Sequence, residues 1–253
     1  MLNSILKYFG YCLASILLLG CYDAPYFPEE PAISFNQIEF VEVDGAADSL
    51  ILTFNFEDGD GDLGLAIDEV YPPYHIFNYV VEEIDSEYFL IKYGQLNFNE
   101  PLILATSYDG EVILSGNYDF DQSLPEYGCS DYLVTTDLDT DEVDTFLIKK
   151  NIFNKNIYVN FYKKIRGAYQ LINDDFSQGG CVEFFNSRIP VFDQENIGKS
   201  LKGDVSFAML SQGFQQTFRN DSIKMSFYIY DRNLNKSNIA ETPDFVLINI
   251  TRN

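Results

Sequence analysis

Residues 49–57 place Leu50, Leu52, Phe54 and Phe56 at every second position, with Ile51, Thr53 and Asn55 between them. A strand turns successive side chains to opposite faces, so this spacing gathers four large apolar groups on one side; a helix would scatter them round its axis. The pattern recurs at residues 32–35, 158–164, 168–172, 205–210, 223–230 and 245–250, in segments rich in β-branched and aromatic residues. Turn-forming clusters separate them, and Arg166-Gly167 marks a hairpin between two of them. Helical periodicity is nowhere sustained. The expected fold is an all-β sandwich, with two antiparallel sheets face to face.

Two of these segments echo each other. Residues 48–58, from Asp48 to Asp58, align with residues 221–231, from Asp221 to Asp231, and Ile33-Ser34-Phe35 recurs as Val205-Ser206-Phe207. Too few residues follow the second copy to close a sandwich of its own. The expectation is therefore one sandwich whose early and late strands enter a common core and leave it at the same end.

The chain opens with Lys7, an apolar run over residues 8–19, and Gly20-Cys21. That run falls short of the roughly twenty apolar residues that cross a bilayer, and reads as a secretory signal. Leu18-Leu19-Gly20-Cys21 resembles the lipobox of bacterial lipoproteins, which implies cleavage before Cys21 and lipid on its sulfur. Residues 1–20 are then a signal peptide, and residues 21–31, with Pro25, Pro28 and Pro31, an extended tether. The expected address is the outer membrane, lipid-anchored, facing the periplasm or the cell surface.

Lysine and arginine number 16 against 39 aspartates and glutamates. A surface so negative repels nucleic acid and attracts cations. Apart from Cys12 and Cys21, Cys129 and Cys181 remain, a pair that an oxidising compartment would bridge.

The sharpest chemical signal is Asp58-Gly59-Asp60-Gly61-Asp62. Carboxylates on alternate residues can converge on one hard cation, and glycines permit the tight backbone this needs. The competing reading is a turn held by local side-chain hydrogen bonds. Glu69 stands where an EF-hand loop counted from Asp58 would have its bidentate glutamate, but Leu63 replaces that motif's glycine and the flanks read as strand. The echo aligns Asp231, Asn233 and Asn235 with Asp58, Asp60 and Asp62. Two oxygen-rich loops at one sandwich end could supply the six to eight ligands of calcium.

The stretch from Phe56 to Gly64 also looks like the first hallmark of an uncharacterised lipoprotein family common in Bacteroidota. Its later hallmarks have counterparts in Asn186-Ser187-Arg188-Ile189-Pro190, Lys202-Gly203-Asp204-Val205 and the stretch from Tyr230 to Asn238. The resemblance implies an immunoglobulin-like or fibronectin-III-like sandwich over residues 32–253 and carries no activity with it. Residues 71–150 depart from the pattern and read as an insertion, where sandwich proteins often keep their function. It holds His75, the only histidine, and Glu82-Glu83, one of many conceivable acid pairs for glycoside hydrolysis. The functional expectation is a non-catalytic binding or assembly module with a protein or glycan ligand, and calcium is the cofactor that could stabilise it. The alternatives are a carbohydrate-binding accessory protein or glycosidase using the insertion, and a purely structural envelope protein.

Overall fold

A computed structural model describes residues 27–92, 102–118, 132–136, 143–172, 185–192, 199–211, 213–218 and 220–252. Strands β1 (Ala32–Val41) and β2 (Asp48–Asp58) come first. They are followed by β3 (Phe77–Ile84), β4 (Glu87–Leu90), β5 (Leu102–Tyr108), β6 (Glu111–Tyr118), β7 (Tyr132–Thr136) and β8 (Val143–Lys150). Then come β9 (Ile157–Ile165), β10 (Ala168–Leu171), β11 (Leu201–Ser211), β12 (Ile223–Ile229) and β13 (Ala240–Glu241). The α-helix among the described residues is the single short turn α1, Phe214–Phe218. None of the described helices is long and apolar enough to cross a membrane.

Two antiparallel sheets, ordered β1-β2-β11 and β10-β9-β12-β13, share one apolar core. The fold is thus an all-β sandwich, as the alternation requires. Leu50, Leu52 and Phe54 of β2 and Ile223, Met225, Phe227 and Ile229 of β12 are all fully buried. Each such side chain contributes about 1.5–3 kcal/mol by leaving water. The echoed segments lie in opposite sheets and meet across the core: Phe54 and Phe227, equivalent in the repeat, have ring centroids 5.3 Å apart. Their strands end at the same end of the sandwich, so Asp58 and Asp231 come together there. Asn238 closes one side by bonding both Ile33 N–H (2.8 Å) and Ile33 C=O (2.9 Å).

The hairpin at 166–167 turns through Arg166 at φ 52° and Gly167 at φ 88°. Two positive φ values match the type I′ geometry that suits a two-residue hairpin. Residues 245–250 are a correction: Phe245 makes one bridge to Ile223, and Leu247–Asn249 is a 3-10 turn. Phe245 and Leu247 are both buried, and their two-residue spacing imitates a strand without a ladder behind it.

Strands β3 to β8 form a separate sheet, ordered β6-β5-β3-β8-β7 with β4 beside β3. Among the described residues its own buried cluster is Val80, Ile91, Leu102 and Leu147, far smaller than the sandwich core. Cys21, Cys129 and Cys181 lie outside the described residues.

Candidate metal centre

Strand β2 ends at Asp58, and the next six residues fold back on themselves at the mouth of the sandwich. Glycine is required here by close approach. A Cβ on Gly59 would stand 2.4 Å from the Phe27 carbonyl oxygen. Gly61 has φ +65°, and its Cβ would stand 2.1 Å from the Lys199 carbonyl oxygen. The freed space lets the backbone bring three aspartates inward.

Each of those aspartates uses one oxygen to hold protein. Asp58 Oδ2 accepts from Leu63 N–H at 3.1 Å and closes the loop. Asp62 Oδ2 accepts from Asn233 N–H at 3.1 Å, and Asp60 Oδ2 from the Asn233 side-chain amide at 2.9 Å. The hairpin beyond β12 is thereby stitched to the loop beyond β2. Within that hairpin, Asp231 accepts from Asn235 N–H at 2.7 Å and from its side-chain amide at 2.8 Å. Asn233 and Asn235 therefore brace carboxylates through their amide nitrogens.

The second oxygen is the informative one. Oδ1 of Asp58, of Asp60 and of Asp62 is buried without a hydrogen-bond partner. Asp58 is fully buried, with Asp62 at 6% and Asp231 at 3% exposure. Asp58, Asp62 and Asp231 each offer an oxygen within 4.8 Å of the others. Burial pushes Asp58 up to about 7, and repulsion from Asp60, Asp62 and Asp231 adds to it, as does the hydrogen bond that a protonated Asp58 makes with the Asp60 carboxylate. Asp62 is pushed up to about 7 by burial, then by Asp231 and Asp60. Burial raises Asp231 as well, against the hydrogen bonds from Asn235.

Native proteins rarely leave buried polar atoms unpaired, because each costs about 1–3 kcal/mol and more when charged. Three orphaned carboxylate oxygens beside a fourth carboxylate fit a hard dication, which would satisfy the oxygens and cancel the repulsion together. The donors are all oxygen, which suits calcium or magnesium and not the nitrogen- and sulfur-seeking metals. Asp58, Asp62 and Asp231 would hold the ion, with the unpartnered Asp60 oxygen in the same loop. Their number falls short of calcium's six to eight ligands, and water is its usual complement.

Glu69 is taken elsewhere. It pairs with Arg232, whose Nη1 lies 2.8 Å from Oε2 and whose Nη2 bonds Oε1. It also accepts from Ala66 N–H at 2.7 Å and Tyr71 Oη at 3.2 Å. The hydrogen bond from Arg232 is the main reason its carboxyl is held down at about 2. A glutamate so committed to a guanidinium does not reach for a cation. Tyr74 Oη donates to the Arg232 carbonyl, and the Tyr74 ring lies under the Arg232 guanidinium, its centroid 5.8 Å away. Arg188 donates to the carbonyls of Asn154 (2.7 Å), Ala66 (2.6 Å) and Tyr74 (3.1 Å). The part played by Arg232, Tyr74 and Arg188 was not foreseen. The available hint was a lone arginine within the second acidic loop of a strongly negative chain.

The rest of the sequence-level chemistry disperses. His75 Nε2 bonds Asn78 Oδ1 at 2.9 Å, and its Nδ1 faces the Asn151 amide at 3.3 Å. Glu82 and Glu83 are consecutive on β3 and so point to opposite faces, which rules them out as a facing pair. The insertion does contain a groove of about 370 Å³, with Tyr79, Tyr88, Phe89, Glu87 and Lys92 among its walls.

No family profile, curated protein or solved structure matches this chain.

Proposed function

We propose that this chain is an exported, lipid-tethered β-sandwich that serves as a non-catalytic binding or assembly module, with calcium fixing one end of the sandwich. The observation carrying the calcium reading is the set of three orphaned oxygens on Asp58, Asp60 and Asp62 beside Asp231. The tether rests on the sequence before and at Cys21, and its likeness to a lipobox. The membrane is thus one partner, and a protein or glycan ligand the other. The resemblance to Bacteroidota lipoproteins supports an outer-membrane address.

The test is thermal melting of wild type and Asp60→Ala in millimolar calcium and in chelator. Extracellular calcium modules often bind at about 0.1–1 mM, so the concentration matters. At a hundredfold above the dissociation constant, binding adds about 2.7 kcal/mol. A calcium shift present in wild type and lost in Asp60→Ala supports the site. Identical wild-type melts would reduce the loop to a turn, and equal shifts in both proteins would place the ions elsewhere. For the tether, Cys21→Ser should leave precursor or soluble protein; an unmodified mature N-terminus at another residue, by intact mass, would overturn it.

The groove in the insertion favours a second reading, a glycan-binding accessory protein. Aromatic rings beside a few polar groups suit sugar rings, and Glu87 is the one carboxylate among the described walls. Titration with oligosaccharides tests it: binding weakened by Tyr88→Ala supports this reading, and no binding removes it.

A further inference from the structure

The cation site lies where three parts of the molecule meet. The loop after β2 carries Asp58, Asp60 and Asp62, and it runs on through Leu65 and Glu69 to the base of the inserted sheet. The hairpin after β12 carries Asp231 and, next to it, Arg232. Arg232 holds the base of the insertion through Glu69 and through the hydroxyl of Tyr74. Arg188 grips the same base from a third side, at the carbonyls of Ala66 and Tyr74. Among the described residues the inserted sheet has a small buried cluster of its own, so contacts at its base do much to set its pose.

Resting on the calcium reading above, we infer that ion binding regulates how the insertion is held against the sandwich. The ion would join the two loops by their carboxylates. With Asp231 fixed, Arg232 is fixed one residue later, and the Glu69 pair and Tyr74 carry that restraint into residues 65–76. When the ion leaves, mutual repulsion of the carboxylates pushes the loops apart, and the Arg232 clamp moves with its hairpin. The ligand of this switch is a divalent cation at extracellular concentration, and the element that it steadies is the sheet containing the groove.

Hydrogen exchange on the full chain, with calcium itself as the probe, separates the claims. At calcium ten times its dissociation constant, exchange through openings that release the ion slows about tenfold. The expected result is slowing at residues 58–64 and 231–235 and also at residues 65–76. In the charge-neutral double variant Glu69→Gln with Arg232→Gln, slowing should persist at 58–64 and vanish at 65–76. Persistence at 58–64 also shows that the variant is folded and still binds. If wild type slows only at the two loops, or if the double variant keeps its slowing at 65–76, the coupling is wrong and the site stands. If calcium slows nothing in wild type, the site itself is wrong.

Discussion

Replacing Asp62 by asparagine stabilises the protein without calcium and loses that advantage in part or in full with it, and both effects follow from the geometry. Asp62 Oδ2 accepts one backbone hydrogen bond from Asn233, which an asparagine carbonyl preserves. Its Oδ1 is the orphan, and an amide there donates to the neighbouring carboxylates. In wild type without cation, the carboxyl is raised from 3.8 to about 7. The folded protein then binds the proton more tightly than the unfolded chain does. The contribution of this one group is full below about pH 4 and is lost as pH rises through 7, the reverse of a salt-bridged carboxylate. One group with this shift costs at most about 4 kcal/mol at pH 7. In chelator at pH 8, Asp62→Asn should therefore melt above wild type, by up to roughly 8–16 °C for a chain of this size. Acidification from pH 7 to 4 should stabilise wild type more than the variant. In calcium the order narrows or reverses, since only wild type gains the binding energy. Scanning calorimetry at pH 8 and pH 5, with chelator and with calcium, gives all four values. A variant that melts below wild type in chelator at both pH values would refute the claim that the cluster is under repulsion.

Arg232→Ala should cost about 1–3 kcal/mol at neutral pH, because it takes the guanidinium from a charged, half-buried Glu69 and leaves it only the hydrogen bonds from Ala66 and Tyr71. Glu69's own contribution is present above its unfolded value of 4.5 and is lost as pH falls toward 2, so urea melts of wild type and Arg232→Ala should converge in strong acid. Gly61→Ala should lose at least about 2 kcal/mol, from a positive φ and a clash with the Lys199 carbonyl; an unchanged urea midpoint would contradict the tight packing of the loop. Cys129 and Cys181 are expected to be bridged, for about 4 kcal/mol from closing a loop of roughly fifty residues; peptide mapping without reductant that finds both thiols alkylated would remove the bridge.

Much of the sandwich was legible because its strands are half-buried. The alternation of β2 survives intact as buried Leu50, Leu52, Phe54 and Phe56, and a period of two has no other ready explanation. The repeat showed that Asp58 and Asp231 share an end, since equivalent strands enter one core. The hairpin at Arg166-Gly167 was readable from its turn chemistry. Residues 245–250 were misread because a single bridge and a 3-10 turn bury Phe245 and Leu247 at a strand's spacing. Glu69 marks the deeper limit. Counting along the chain noted only that it stands at an EF-hand's glutamate position, in a loop that is not an EF-hand, whereas its partner is Arg232, 163 residues away. Nothing local in the sequence encodes a pairing of that kind. Nor could sequence show that Asn233 and Asn235 turn their amide nitrogens toward the aspartates, leaving each of three carboxylates with one oxygen unsatisfied.

The most direct measurement is a crystal structure of the full mature chain grown with millimolar calcium. The account predicts one strong peak within about 2.3–2.6 Å of oxygens from Asp58, Asp62 and Asp231, with Glu69 still on Arg232. A cluster that instead shows its Oδ1 atoms hydrogen-bonded to water or to one another, with calcium absent, would contradict it.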